Sequence, residues 1–98
     1  MKFGRSKGGK AATDEAAALA LQGLTFLAGE MGRFSRFLAI TGVGPADLKN
    51  AAATAEFQSA VLDYLLRDES LLLVFAAESG IAPEKVGQAY GALSPEEN

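Results

Sequence analysis

Twelve carboxylates, nine cations and two tyrosines are the side chains from which this 98-residue chain could assemble a reactive site, since it holds no histidine and no cysteine. Without an imidazole or a thiol there is no Ser-His-Asp or Cys-His nucleophile, no ordinary proton shuttle at neutral pH, and no His or thiolate ligand for zinc. Acid–base or hard-metal chemistry would fall to the carboxylates. Asp63, Asp68 and Glu69 lie close together in sequence, yet Asp63 stands four residues before Arg67, the spacing of an ion pair on a helix surface. Asp68 precedes an apolar run, as a helix N-cap does. No ligand-loop spacing for magnesium or calcium is present. Tyr64 and Tyr90 have no partner identifiable in the sequence. The residues therefore predict no catalytic site, no metal and no cofactor, and a protein that is not an enzyme.

One pattern suits binding. Ile40-Thr41-Gly42-Val43-Gly44-Pro45-Ala46-Asp47-Leu48 reads as a helix stop followed at once by a helix start. Its Gly42-Val43-Gly44 centre is similar to the Gly-apolar-Gly hairpin of helix-hairpin-helix DNA-binding modules. There, glycines let the backbone approach a phosphate, and the next helix offers N–H groups and the positive end of its dipole. Lys49 is placed to reach the same anion. The sequence departs from that pattern at Leu48, where a small residue is favoured, and at Asp47, whose charge opposes a phosphate. Nucleic-acid binding needs several cationic contacts to release counterions, and this segment supplies one lysine. The competing reading is a plain helix stop and N-cap.

Arg33-Phe34-Ser35-Arg36-Phe37 interleaves basic and aromatic residues, as surfaces that stack bases or lie on anionic lipid do. Helical spacing favours packing instead. Phe34 and Phe37 are three apart and share a face with Leu38, which leaves Arg33 and Arg36 to solvent.

These residues require helices to position them. Six are predicted. Thr13 caps the first, with Asp14 and Glu15 in its opening turn, and Gly29 follows its end near residue 28. The second, residues 30–41, gathers Met31, Phe34, Phe37, Leu38 and Ile40 on one side, and Gly42 supplies its left-handed stop. Pro45 opens a short third helix. Thr54 caps a fourth, residues 55–67, with a stripe of Phe57, Val61, Leu62 and Leu65. Asp68 caps a fifth that Gly80 terminates, and Ile81 is placed for the apolar contact that accompanies such a glycine. Pro83 opens the last, which carries Val86, Tyr90 and Leu93 inward. With no strand alternation, hairpin signal or repeat in competition, the fold class is all-α. Links of two or three residues predict a compact orthogonal bundle.

The fifth helix stands out. Leu71-Leu72-Leu73-Val74-Phe75-Ala76-Ala77 is apolar on every side, the pattern of a helix buried mid-bundle or shared with another chain. Leu62, Leu66, Leu71, Leu72, Leu73 and Phe75 are accordingly the candidate core or interface residues.

Length fits one domain, and 49% apolar with 21% charged residues is the composition of a folding chain. Lys2, Arg5, Lys7 and Lys10 place four cations in the first ten residues, leaving five against twelve anions, a net −7, in residues 11–98. Residues 1–12 read as a flexible basic arm, residues 13–93 as one helical domain and residues 94–98 as a polar tail. The arm suits an anionic partner or simple solubility. Asp14, Glu15 and Gln22 spoil residues 16–27 as a secretory signal, and no apolar run reaches the length of a membrane span. A cytoplasmic protein is expected.

Phe37-Leu38-Ala39-Ile40-Thr41-Gly42-Val43-Gly44-Pro45, taken with the segment from Phe57-Gln58-Ser59-Ala60-Val61-Leu62 through Asp63-Tyr64-Leu65-Leu66-Arg67-Asp68-Glu69 to Ser70-Leu71-Leu72-Leu73-Val74-Phe75, resembles the small bacterial proteins grouped as domain-of-unknown-function family 3572. The resemblance implies a short helical cytoplasmic protein and supplies no activity. The functional expectation is a non-enzymatic module that binds another protein or a second copy of itself, with weak nucleic-acid binding through Gly42, Val43, Gly44, Lys49 and the basic arm as the alternative.

Overall fold

The computed structural model describes the backbone of residues 2–93 and the side chains of residues 12–93. Six α-helices follow one another: α1 (Lys2–Ala28), α2 (Met31–Thr41), α3 (Leu48–Ala51), α4 (Ala55–Leu66), α5 (Glu69–Ser79) and α6 (Glu84–Leu93). A 3-10 turn, Pro45–Asp47, runs into α3. No strand occurs among the described residues.

Local chemistry sets most of the boundaries. Thr54 and Asp68 each hold extended backbone and accept, through a side-chain oxygen, the N–H three residues on, from Phe57 and Leu71 respectively, both at 3.1 Å. Gly42 and Gly80 adopt left-handed backbone, φ 76° and 70°, which a Cβ would strain. At Gly80 the ending is a complete Schellman motif. The Ile81 N–H reaches the Ala76 carbonyl at 3.0 Å and the Gly80 N–H the Ala77 carbonyl at 3.4 Å, while Ile81 packs on the core.

The first helix begins earlier than its sequence suggests. Thr13 lies inside α1 and does not cap it, because alanines on either side favour helix and no proline interrupts. The side chains of the basic arm up to residue 11, and the whole of the tail 94–98, lie outside the described residues.

Helices α1, α4 and α6 form the centre, each packed on the other two. Along α1, Ala16, Ala20, Gly23 and Leu27 make a buried stripe at helical spacing. Its small residues admit α4 closely: a Cβ on Gly23 would stand 3.1 Å from both Leu65 Cδ1 and Val61 Cγ1. Leu27, Phe37, Val61, Leu62, Leu65, Phe75 and Val86 are the large side chains sealed from solvent. Phe37 meets Phe57 and Tyr64 edge to face, at centroid distances of 5.6 and 5.2 Å, and so ties α2 to α4. Gln58, the buried polar side chain, donates from Nε2 to the Ala52 carbonyl at 2.9 Å, which satisfies a carbonyl just past the end of α3.

Two packing expectations are corrected. Met31 and Ile40 do not share the buried side of α2, being 82% and 65% exposed; Phe37 is sealed, while Phe34 and Leu38 are half-buried around it. At α5 the helix is peripheral, not central. It rests on α4 and α1 with Phe75 and Ala76 buried and Leu71 and Leu72 half-buried. Because α1, α4 and α6 already fill the middle, Leu73 and Val74 remain 49% and 44% exposed on the opposite side.

Candidate functional site

The hairpin residues form a stop and restart, with one backbone group at each end tied into the neighbouring turn. The Gly42 N–H bonds to the Leu38 carbonyl at 2.8 Å, Val43 packs half-buried on the core, and the Gly44 carbonyl accepts the Asp47 N–H at 3.0 Å. A Cβ at Gly44 would stand 3.9 Å from the Asp47 carboxylate, so the nearest charge to this glycine is negative. The helix it opens is one 3-10 turn and four α-helical residues, too short for a large dipole. Lys49 is exposed on α3 with no ion pair or hydrogen bond to the hairpin among the described residues.

The basic–aromatic segment is committed to packing. Phe37 is sealed in the core. The Arg33 guanidinium lies 4.5 Å from the centre of the Phe26 ring, and its Nε is 3.3 Å from Glu30. Arg36 is exposed.

Of the six candidate core or interface residues, Leu62 and Phe75 are sealed in the core, and Leu66, Leu71 and Leu72 pack half-buried against it. Leu73 faces outward. With Val74 and the exposed Ala77 it makes an uncovered apolar strip along α5, bordered by the exposed Glu69 and Glu78. Phe75 anchors the helix from the other side against Phe26, at a centroid distance of 5.3 Å.

A second surface is not evident in the sequence. Between the end of α2, the hairpin, α3 and the outer side of α4 lies a groove of about 650 Å³. Its apolar lining comes from Val43, Ala51, Phe57 and Ala60, with Ile40 at one wall. Thr41, Thr54, Glu56, Asp63, Tyr64 and Arg67 complete it. Asp63 and Arg67 are paired at 2.7 Å, as their spacing predicts, and that hydrogen bond and charge raise the Arg67 pKa above its already high ordinary value. The sequence holds no signal for the groove, because Ile40 reads there as part of the Phe37 side of α2.

Catalytic geometry is a different matter. Among the described residues no three Asp or Glu side chains converge as a metal site would require. No helix among them is long and apolar enough to cross a membrane.

A small all-helical bundle with apolar surface left open on α5 and beside α4 is thus the class that fold and site define. The model of the family described as protein of unknown function (DUF3572) matches residues 13–96, and the chain belongs to that family. No curated protein and no solved structure matches the chain.

Proposed function

We propose that this chain is a non-enzymatic interaction module that docks another protein, or a second copy of itself, on the outer strip of α5. The observation that carries the reading is that α5 is apolar all round yet buries only one side, leaving Leu73 and Val74 about half exposed on the other. Apolar surface on both sides of a helix is the mark of one shared between two bodies. The capped N-terminus at Asp68 and the Schellman ending at Gly80 support the helix that presents the strip, which favours a low ordering cost when a partner covers it.

The test is a pull-down from the native host with wild type and a Leu73→Gln/Val74→Gln variant, paired with light scattering of both across the micromolar range. Partners or oligomers present with wild type and lost with the variant support the reading. A wild type that stays monomeric and captures nothing the variant does not also capture sinks it. Both substitutions are at exposed positions, so the variant should melt close to wild type, within about 0.5 kcal/mol for each.

A further inference from the structure

The groove beside α4 lies on another face and is read independently of α5. It runs from the N-cap Thr54 to the C-cap Arg67 of a twelve-residue helix, about 18 Å at 1.5 Å per residue, or three turns of a docked helix. The threonine hydroxyls in its walls are already used. Thr41 Oγ1 donates to the Phe37 carbonyl at 3.1 Å, and Thr54 Oγ1 donates to the Ala51 carbonyl at 2.8 Å while accepting the Phe57 N–H. What remains for a ligand is an apolar bed of Ile40, Val43, Ala51, Phe57 and Ala60 with the Tyr64 side chain beside it, and charge at its edges.

Those edges are not neutral. Arg67 is held by Asp63 at one end, so its charge is already compensated. Glu56, at the other end, is exposed and makes no ion pair among the described residues. With Asp63 and Arg67 neutralising each other, an anionic occupant would meet the charge of Glu56, whereas a cation beside an apolar segment finds there an uncompensated carboxylate. Residues 11–98 carry a net −7, which extends the same preference to the approach. The face is poorly suited to its own copy, since pairing groove against groove brings acidic bodies together.

We infer that this groove binds a basic amphipathic helix of a partner protein, its apolar side chains on the bed around Phe57 and a lysine or arginine against Glu56. The mode is a helix laid in a groove, in which apolar anchors one turn apart supply affinity and the rim charge supplies selection.

The experiment uses the full chain and two fluorescent probe peptides of one amphipathic pattern, Leu/Lys and Leu/Glu, plus a peptide of residues 1–12 of this chain. The Leu/Lys peptide should bind, and the Leu/Glu peptide should not. Both positions are exposed: Ile40→Gln should weaken Leu/Lys binding by about tenfold, the effect of removing one good anchor, and Glu56→Gln should weaken it by a smaller factor, about twofold to fivefold, while narrowing the preference for Leu/Lys over Leu/Glu. Leu73→Gln/Val74→Gln should leave it unchanged. Amide shifts on titration should centre on Ala60 and Tyr64.

Absence of Leu/Lys binding, equal binding of the Leu/Glu peptide, or indifference to Ile40→Gln and Glu56→Gln overturns the assignment. Shifts centred on α5 overturn it too. Tighter binding by the residue 1–12 peptide, abolished by the same two substitutions, would reassign the groove to a second copy of the chain.

Discussion

At Gly23 two terms of opposite sign meet in one methyl group. Replacing a helical glycine by alanine gains about 1 kcal/mol of helix propensity. Here the new Cβ would press at 3.1 Å on both Leu65 and Val61, in the middle of the α1–α4 contact. Overpacking a close core costs about 1 to 3 kcal/mol. Gly23→Ala is expected to be nearly neutral, because only tenths of an ångström must be yielded. Gly23→Leu, which adds three further carbons to the same place, is expected to lower the urea midpoint well beyond that, with unchanged slope. A Gly23→Leu protein as stable as wild type would mean that the two helices do not meet there. The Arg67–Asp63 pair gives the opposite kind of residue-scale expectation. Its hydrogen bond raises the Arg67 pKa, so the arginine's contribution is fully present below its ordinary, already very high pKa and is lost only as pH rises through the still higher folded value. Arg67 therefore stays charged across neutral and moderately alkaline pH, and Arg67→Gln should give a stability–pH curve parallel to wild type between pH 7 and about 10. Converging curves in that window would show that a different group is titrating.

For the elements, caps and faces make separate predictions. Asp68→Ala removes the acceptor for the Leu71 N–H and should cost about 1 kcal/mol, a loss that Asp68→Asn should largely avoid. Along α5 the two sides should respond unequally: Phe75→Ala empties a sealed site and should cost about 3 to 5 kcal/mol, whereas Leu73→Ala on the open strip should cost far less. Equal losses would place Leu73 in a core. Much of this framework was legible in the chain, because Thr54, Asp68, Gly42, Gly80 and Pro45 act through backbone chemistry that needs no distant partner. The same holds for Asp63 with Arg67, one helical turn apart. What escaped was decided by other helices. Met31 and Ile40 fall near the apolar side of α2, but only the path of α4 determines that Phe37 is covered and they are not. Likewise α5 reads as either buried mid-bundle or shared with another chain, and only the packing of α1, α4 and α6 in the centre removes the first alternative. Gly23 carries no mark in the sequence of its place in the fold, where two helices touch. The groove escaped for a related reason: Val43 comes from a loop and Ala51, Phe57 and Ala60 from two helices, and no spacing in the chain announces that they line one space.

On the scale of the whole molecule, charge makes the sign of salt dependence a report on what is bound. The chain carries a net −3, and residues 11–98 alone a net −7. Two copies meeting through α5 would bring Glu69 and Glu78 of each strip against the acidic surface of the other. That repulsion is long-range and is screened as the Debye length falls, from about 30 Å at 0.01 M to about 8 Å at 0.15 M ionic strength. Apolar burial at the strip is not screened, so self-association should strengthen as salt is raised. A basic helix in the α4 groove is drawn by attraction to Glu56 and the acidic body, and its binding should weaken over the same range. Light scattering of the chain alone and titration with the Leu/Lys peptide, each at low and physiological salt, separate the two. Self-association that dissolves on adding salt would mean that opposite charges hold the copies together, which the uniformly acidic border of α5 does not provide and the cations of residues 1–10 would. Deleting those ten residues should then abolish it, and leave the peptide titration intact.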